Sequence, residues 1–178
     1  MIEAAARIID LYRRHAGAWT TARGAVLLER PWIERFADML RREAAVLDIG
    51  CGSGEPIARY VAARGHPVTG VDSSPKMIDL FRANLPGKTA EVADMRSLKL
   101  DRRYGGLIAW GSFFHLTPQD QRMMFPIFCD HFKPGATLIF TSGPAFGEAI
   151  GTLEGEALYL CWMGQIAPIY ASGIFYPS

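Results

Sequence analysis

Apolar positions recur with two different periods along this chain, and the period switches from segment to segment. Residues 2 to 16 carry Ile2, Ala5, Ile8, Ile9 and Tyr12 at helical spacing, which predicts an amphipathic helix. Pro31, a residue favoured in a first helical turn, opens a second helix with Trp32, Phe36, Met39 and Leu40 as its apolar face. From residue 45 onward, short apolar runs alternate with helical patterns. The runs are 45–49, Val68–Val71, Thr89–Ala93, Leu107–Trp110 and Ala136–Thr141, and each reads as a buried strand. A helix from about Glu55 to Arg64 stops at Gly65, a residue suited to the left-handed cap position. Ser74-Pro75 caps another, which buries Met77, Ile78, Leu80 and Phe81. Thr117 and Asp120 form a capping pattern for a third, which Pro126 is expected to kink. Strand–helix alternation of this kind predicts an α/β chain: a doubly wound, mainly parallel Rossmann-like sheet with helices on both faces.

Composition narrows the classes without naming a function. A chain of 178 residues suits one domain with one core. The net charge of +1 supplies no field for nucleic acid or an anionic membrane surface, so neither is expected as a partner. Basic side chains outnumber acidic ones up to Arg103, and the reverse holds from Tyr104. Cys51, Cys129 and Cys161 are odd in number and contain no C-x-x-C pair, so no disulfide framework or metal site is expected and a cytoplasmic setting fits. Glu3, Arg7, Asp10 and Arg13 at helical spacing argue against a signal peptide. Ala157 to Ser178 carry no charge, yet Gly164, Gln165, Pro168, Gly173 and Pro177 and the lack of basic flanks argue against a membrane span.

The chemistry concentrates after the first strand. Val46 to Ile49 run directly into Gly50-Cys51-Gly52-Ser53-Gly54, then a helix. Strand, glycine turn and helix together let backbone approach a nucleoside-type ligand where a β-carbon would block it. A dinucleotide turn asks for G-x-G-x-x-G, and Glu55 stands where its third glycine belongs. Asp48, two residues before the turn, repels a pyrophosphate and attracts an ammonium group, which favours S-adenosylmethionine. Asp72 ends the second strand, 18 residues past Gly54, where a carboxylate accepts from ribose hydroxyls. Asp94 and Met95 follow the third strand, where the acid suits an exocyclic amine and the thioether suits the face of adenine. The turn, with Cys51 and Gly54 in it, is assigned to the cofactor; the Cys51 side chain is expected to pack, not to react.

In these segments the chain resembles the class I S-adenosylmethionine-dependent methyltransferases of the small-molecule kind. The likeness rests on residues 46–56, 68–77, 92–95, 110–116 and 133–139, and extends over roughly residues 8 to 156. It implies cofactor contacts at Asp48, Gly50, Gly52, Asp72, Ser73, Met77, Asp94, Met95 and Trp110. It also implies an N-terminal helical cap over residues 1–43, a cofactor-binding core over 44–156 and a small-molecule methyl acceptor, reached by in-line displacement. Two other readings stay open: a cofactor-binding protein that has lost catalysis, and a nicotinamide oxidoreductase, disfavoured by Asp48 and Glu55.

A base assists methyl transfer only when the nucleophile starts protonated. His115, in the loop after the fourth strand, is the candidate, and His15 is the runner-up. Tyr12 and Trp19 are candidates for the acceptor pocket, and Arg23 for the cofactor carboxylate. Phe113, Phe114, Met123 and Met124 read as packing. The family usually closes its sheet with a C-terminal antiparallel strand pair, which this sequence is expected to lack: residues 157–178 form an atypical, uncharged tail. Strand five is then either an apolar edge that invites self-association or an edge covered by that tail.

Overall fold

A computed structural model describes residues 2–143, 145–163 and 173–174. Helices α1 (Ile2–Ala6), α2 (Ile8–Arg23) and α3 (Arg30–Met39) precede β1 (Val46–Ile49). Then follow α4 (Ile57–Ala63), β2 (Val68–Asp72), α5 (Pro75–Asn84), β3 (Thr89–Val92), β4 (Tyr104–Ala109), α6 (Pro118–His131) and β5 (Phe132–Phe140). A hairpin of β6 (Phe146–Leu153) and β7 (Glu156–Met163) comes next, and Gly173–Ile174 form β8. The main sheet is parallel in the order β3-β2-β1-β4-β5-β8. The chain winds outward from β1 to β3, returns to the far side of β1 and winds outward again. The crevice for a ligand therefore opens at the carboxyl ends of β1 and β4.

The two-residue period sets both faces of the sheet. Leu47, Ile49, Leu107, Ala109, Leu138 and Phe140 pack with Phe113, Met124 and Phe128 on the side of α6. Val46, Val68, Ile108 and Ile139 point the other way, onto Ile33, Phe36, Val61, Ile78 and Phe81 of α3, α4 and α5. Buried on both sides, such strands are continuous apolar runs. Ser74 accepts from the Met77 N–H and Thr117 from the Asp120 N–H, as their cap positions predict. Gly65 takes φ +90° just beyond α4.

Several sequence expectations are corrected. The predicted helix over 2–16 is two, broken at Arg7, and the second continues to Arg23 through a non-helical residue, His15. On α3 the buried residues are Ile33, Phe36 and Ala37, while Trp32 and Met39 are exposed, because the sheet meets the helix about one residue around from the expected stripe. Pro126 is accommodated within one helix, α6. The uncharged tail, read as lacking a strand pattern, contributes β7, which buries Tyr159 and Cys161. The antiparallel pair β6–β7 stands as a sheet of its own. Glu154 (φ +51°) and Gly155 (φ +79°) form its two-residue turn, with both central residues in the left-handed region that suits a twisted hairpin.

The hairpin closes over the N-terminal helices. Ala5 packs with Tyr159 and Cys161, and Ile8 and Leu11 with Leu153. Glu156, at the hairpin turn, meets Arg7, Arg14 and His15. β8 pairs with Leu138 and Ile139, so the tail covers that stretch of β5, the second of the two outcomes expected for strand five. Gly164, Gln165, Pro168 and Pro177 lie outside the described residues. Among the described residues, no helix is long and apolar enough to cross a membrane.

Candidate functional site

The glycine turn is held by β2. The N–H groups of Gly50 and Cys51 donate to the Val71 carbonyl at 2.7 and 3.0 Å. The Gly52 N–H donates to Asp72 Oδ2 at 3.0 Å, and the Ser74 N–H to Asp72 Oδ1 at 2.8 Å. Asp72 thus fixes both the turn and the start of α5. Gly50 has φ +74°, and a β-carbon there would lie 2.3 Å from Ser112 Cβ, so only glycine fits. The Ser112 hydroxyl in turn donates to the Ile49 carbonyl at 2.8 Å, which ties the loop after β4 to β1.

A cavity of about 330 Å³ opens above this turn. Asp48, Gly50, Cys51, Gly52, Asp72, Ser73, Met77, Asp94, Met95 and Trp110 line it, together with Tyr12, Trp19 and His115. The residues singled out from sequence for the site therefore meet in one place, with two exceptions, Gly54 and His15. Gly54 is not among the lining residues. Its missing side chain makes room for Leu85 and Phe81, 2.6 and 2.8 Å from where a β-carbon would stand, so it is a packing glycine. Cys51 does line the cavity, but burial pushes its thiol well up, with Asp48 and Asp72 adding to this, so it is inert. His15 lies outside the cavity, on Glu156.

The site is electrostatically one-sided. Burial pushes the Asp48 carboxyl up to about 7, and the charge of Asp72 adds to this. Burial also raises Asp72, opposed by the N–H groups of Ser74 and Gly52. Burial would raise Asp94 too, but its hydrogen bonds and ion pair with Arg96 outweigh this and hold it below the usual carboxylate range. Arg23 pairs with Glu29 at 2.5 Å, and both line the cavity. Neither Glu29, in the loop before α3, nor Thr141, just past β5 and accepting from the Gly111 N–H, stands out in the sequence as a site residue.

Aromatic groups also line the cavity. Tyr12 and Trp19, about two turns apart on α2, meet edge to face with ring centroids 5.5 Å apart. The Tyr12 hydroxyl lies 2.8 Å from His115 Nε2, and His115 Nδ1 lies 2.9 Å from the Tyr159 carbonyl. His115 is 6% exposed, and burial pushes it down to about 4, partly offset by the Tyr159 carbonyl.

Known proteins share the fold. The family model described as a methyltransferase domain matches residues 46–135, half of the chain. The chain is 26% identical over 110 residues to the dTDP-3-amino-3,4,6-trideoxy-alpha-D-glucopyranose N,N-dimethyltransferase of Streptomyces venezuelae, covering 58% of this chain and 46% of that one. It is 32% identical over 99 residues to the 2-heptyl-1-hydroxyquinolin-4(1H)-one methyltransferase of Mycobacteroides abscessus, covering 52% and 43%. The chain thus spans less than half the length of these curated relatives. Among solved structures, the DhpI–SAH complex superposes with a TM-score of 0.66 at 16% identity, covering 91% of this chain and 81% of that one. The SAM-bound amino pentose methyltransferase CalS10 of Micromonospora echinaspora superposes with 0.58 at 24% identity, covering 78% and 63%. At those identities the superpositions speak for the fold, and together with the family model over the glycine turn and the strand-end acids they show that this chain belongs to the class I S-adenosylmethionine-dependent methyltransferases.

Proposed function

We propose that this chain binds S-adenosylmethionine in the cavity above the glycine turn and transfers its methyl group to a small molecule. The observation that carries the reading is the ordered set of acids at the carboxyl ends of successive parallel strands, opening into one cavity that aromatic side chains also line. The donor set suits this ligand. Asp48 is a buried acid beside a second acid, and a ligand ammonium relieves both its desolvation and its repulsion from Asp72. Each oxygen of Asp72 already accepts one backbone N–H and retains room for one ribose hydroxyl. Asp94 and Met95 offer an acceptor and an apolar face to adenine, beside Trp110. Ser73 and Met77 complete this wall, and Arg23 has donors left for a carboxylate. When bound, the cofactor supplies an electrophilic methyl group on a sulfonium sulfur.

The chain's own part is to align and to exclude water. Ile8, Ile9, Tyr12 and Trp19 cover the cavity from α2, and the hairpin holds α2 down through Leu153. His115, already bonded at both ring nitrogens, positions Tyr12 and is not a free base. The small-molecule acceptor is supported by the relatives named for an amino sugar and a quinolone. Calorimetry with S-adenosylhomocysteine against NAD tests the cofactor: binding of the first and not the second is expected, and stabilisation by NAD alone refutes it. A methyl-release assay over an acceptor panel then tests transfer, and binding without turnover on any acceptor indicates a chain that only holds the cofactor.

A further inference from the structure

We propose that Tyr12 Oη is the polar recognition point for the methyl acceptor, and that His115 fixes it as a pure hydrogen-bond acceptor, so the site selects molecules that bring an O–H or N–H hydrogen to it. This rests on the methyltransferase reading. It follows from which atom owns each proton. The Tyr159 carbonyl can only accept, so the 2.9 Å contact requires a hydrogen on His115 Nδ1. A neutral imidazole has one such hydrogen, so Nε2 is bare. The 2.8 Å contact to Tyr12 then requires the phenol to donate its only hydrogen to Nε2. What Tyr12 Oη has left for the cavity is lone pairs.

The surroundings keep this polarity in place. Burial holds His115 neutral well below physiological pH, and burial likewise raises Tyr12 above the ordinary phenol value, with Asp72 adding to it, so neither group ionises there. Tyr159 and Cys161 turn alternate carbonyls away from β6. His115 takes the first, and the buried Gln121 side chain donates to the second at 2.9 Å and to the Leu116 carbonyl at 3.0 Å. β7 is therefore pinned to the loop that bears His115. Ile8, Ile9, Trp19, Phe114 and Leu116 add apolar side chains to the cavity that Tyr12 lines. A donor hydrogen on the bound molecule finds its partner in Tyr12, whereas an ether oxygen or carboxylate set against Oη faces lone pairs with none.

The selection extends to the product. On transfer the sulfur–methyl bond breaks with its electron pair left on sulfur, a bond forms from methyl carbon to the acceptor heteroatom, and the proton of that heteroatom is lost to bulk solvent as the product leaves. The hydrogen that Tyr12 accepted is then gone, so a hydroxyl acceptor binds more tightly than its methyl ether.

Two measurements on the full chain test this. In ligand-free protein, nitrogen-15 NMR of the histidine rings reads the tautomer directly. His115, assigned by its loss in His115→Phe, is expected with protonated Nδ1 and bare Nε2 from pH 5 to 8, and Tyr12→Phe is expected to move its Nε2 resonance. His131, whose Nε2 accepts from the Leu100 N–H, serves as the unmoved control. A hydrogen on Nε2, or a charged ring at neutral pH, overturns the proposal. In protein saturated with S-adenosylhomocysteine, phenol is expected to bind roughly three- to tenfold more tightly than anisole, the scale of one hydrogen bond, and Tyr12→Phe to erase the difference. Equal binding of the two probes to the unaltered protein, or a preference that survives Tyr12→Phe, overturns it. Failure to take up S-adenosylhomocysteine counts against the methyltransferase reading alone, since the NMR result needs no ligand.

Discussion

Asp48 should make the ligand-free protein less stable than it need be. Its side chain is 4% exposed, and its carboxyl is pushed up to about 7 from 3.8, by burial first and Asp72 second. A carboxyl whose folded value lies above its unfolded value contributes stability at low pH and loses it as pH rises through the folded value. Between pH 3.8 and 7 the folded chain holds a proton that the unfolded chain has released, so this contribution falls by on the order of 4 kcal/mol across the interval. Asp48→Asn removes the ionisation and keeps the shape of the protonated acid. The variant should match the natural chain near pH 4 and exceed it by on the order of 4 kcal/mol at pH 8, which is roughly 10 °C in Tm for a chain of this size. The assay is urea or thermal unfolding of both proteins, ligand-free, from pH 4 to 8. Titrating groups away from Asp48 cancel in the difference, while Asp72, coupled to it, shifts with it. With S-adenosylhomocysteine present the order should reverse, because the variant offers its ammonium no countercharge. A stability difference that stays constant across this range refutes the account of Asp48 as a buried, uncompensated acid.

Other consequences are open to test. His115 has the opposite sign: with its folded value near 4 and the unfolded value near 6.5, stability is lost as pH falls between them, by on the order of 3 kcal/mol, so Asp48→Asn should unmask acid sensitivity that the natural chain conceals. Asp72→Ala should weaken S-adenosylhomocysteine by ~2–4 kcal/mol in calorimetry and also lower Tm, since the Gly52 and Ser74 N–H groups lose their acceptor; unchanged affinity removes Asp72 from the site. Gly50→Ala should cost ~2–4 kcal/mol through its left-handed backbone and the clash with Ser112 Cβ, and Ser112→Gly in the same chain should restore part of the loss in denaturant unfolding. Glu156→Gln should speed amide exchange in β7 and α2 at low salt, and equal protection shows that the Glu156 ion pairs do not hold the hairpin.

Much of this was legible in the residues, for local reasons. Val46 to Ile49 and Leu107 to Ala109 announce buried strands because every position but Asp48 faces apolar neighbours. Asp48, Asp72 and Asp94 could be assigned to the site because a parallel sheet brings the ends of its strands to one rim. Gly54 misled because a glycine required by Phe81 and Leu85 looks the same in sequence as one required by a ligand. The hairpin was missed although Glu154-Gly155 marks its turn: β7 lacks clean alternation, since α1 and α2 cover one part of it and the loop bearing His115 another.

The sequence by itself determined the sheet, the glycine turn and the ring of acids, because period, capping and backbone conformation act over a few residues. Only the tertiary structure decided the other half of the site. Tyr12 and His115 are 103 positions apart, and His115 and Tyr159 are 44 apart. A tyrosine on a helix has no local signature for which way its hydroxyl points. That direction is set by a carbonyl on a strand the periodicity does not show, through a histidine whose protons are assigned only once both partners are in place.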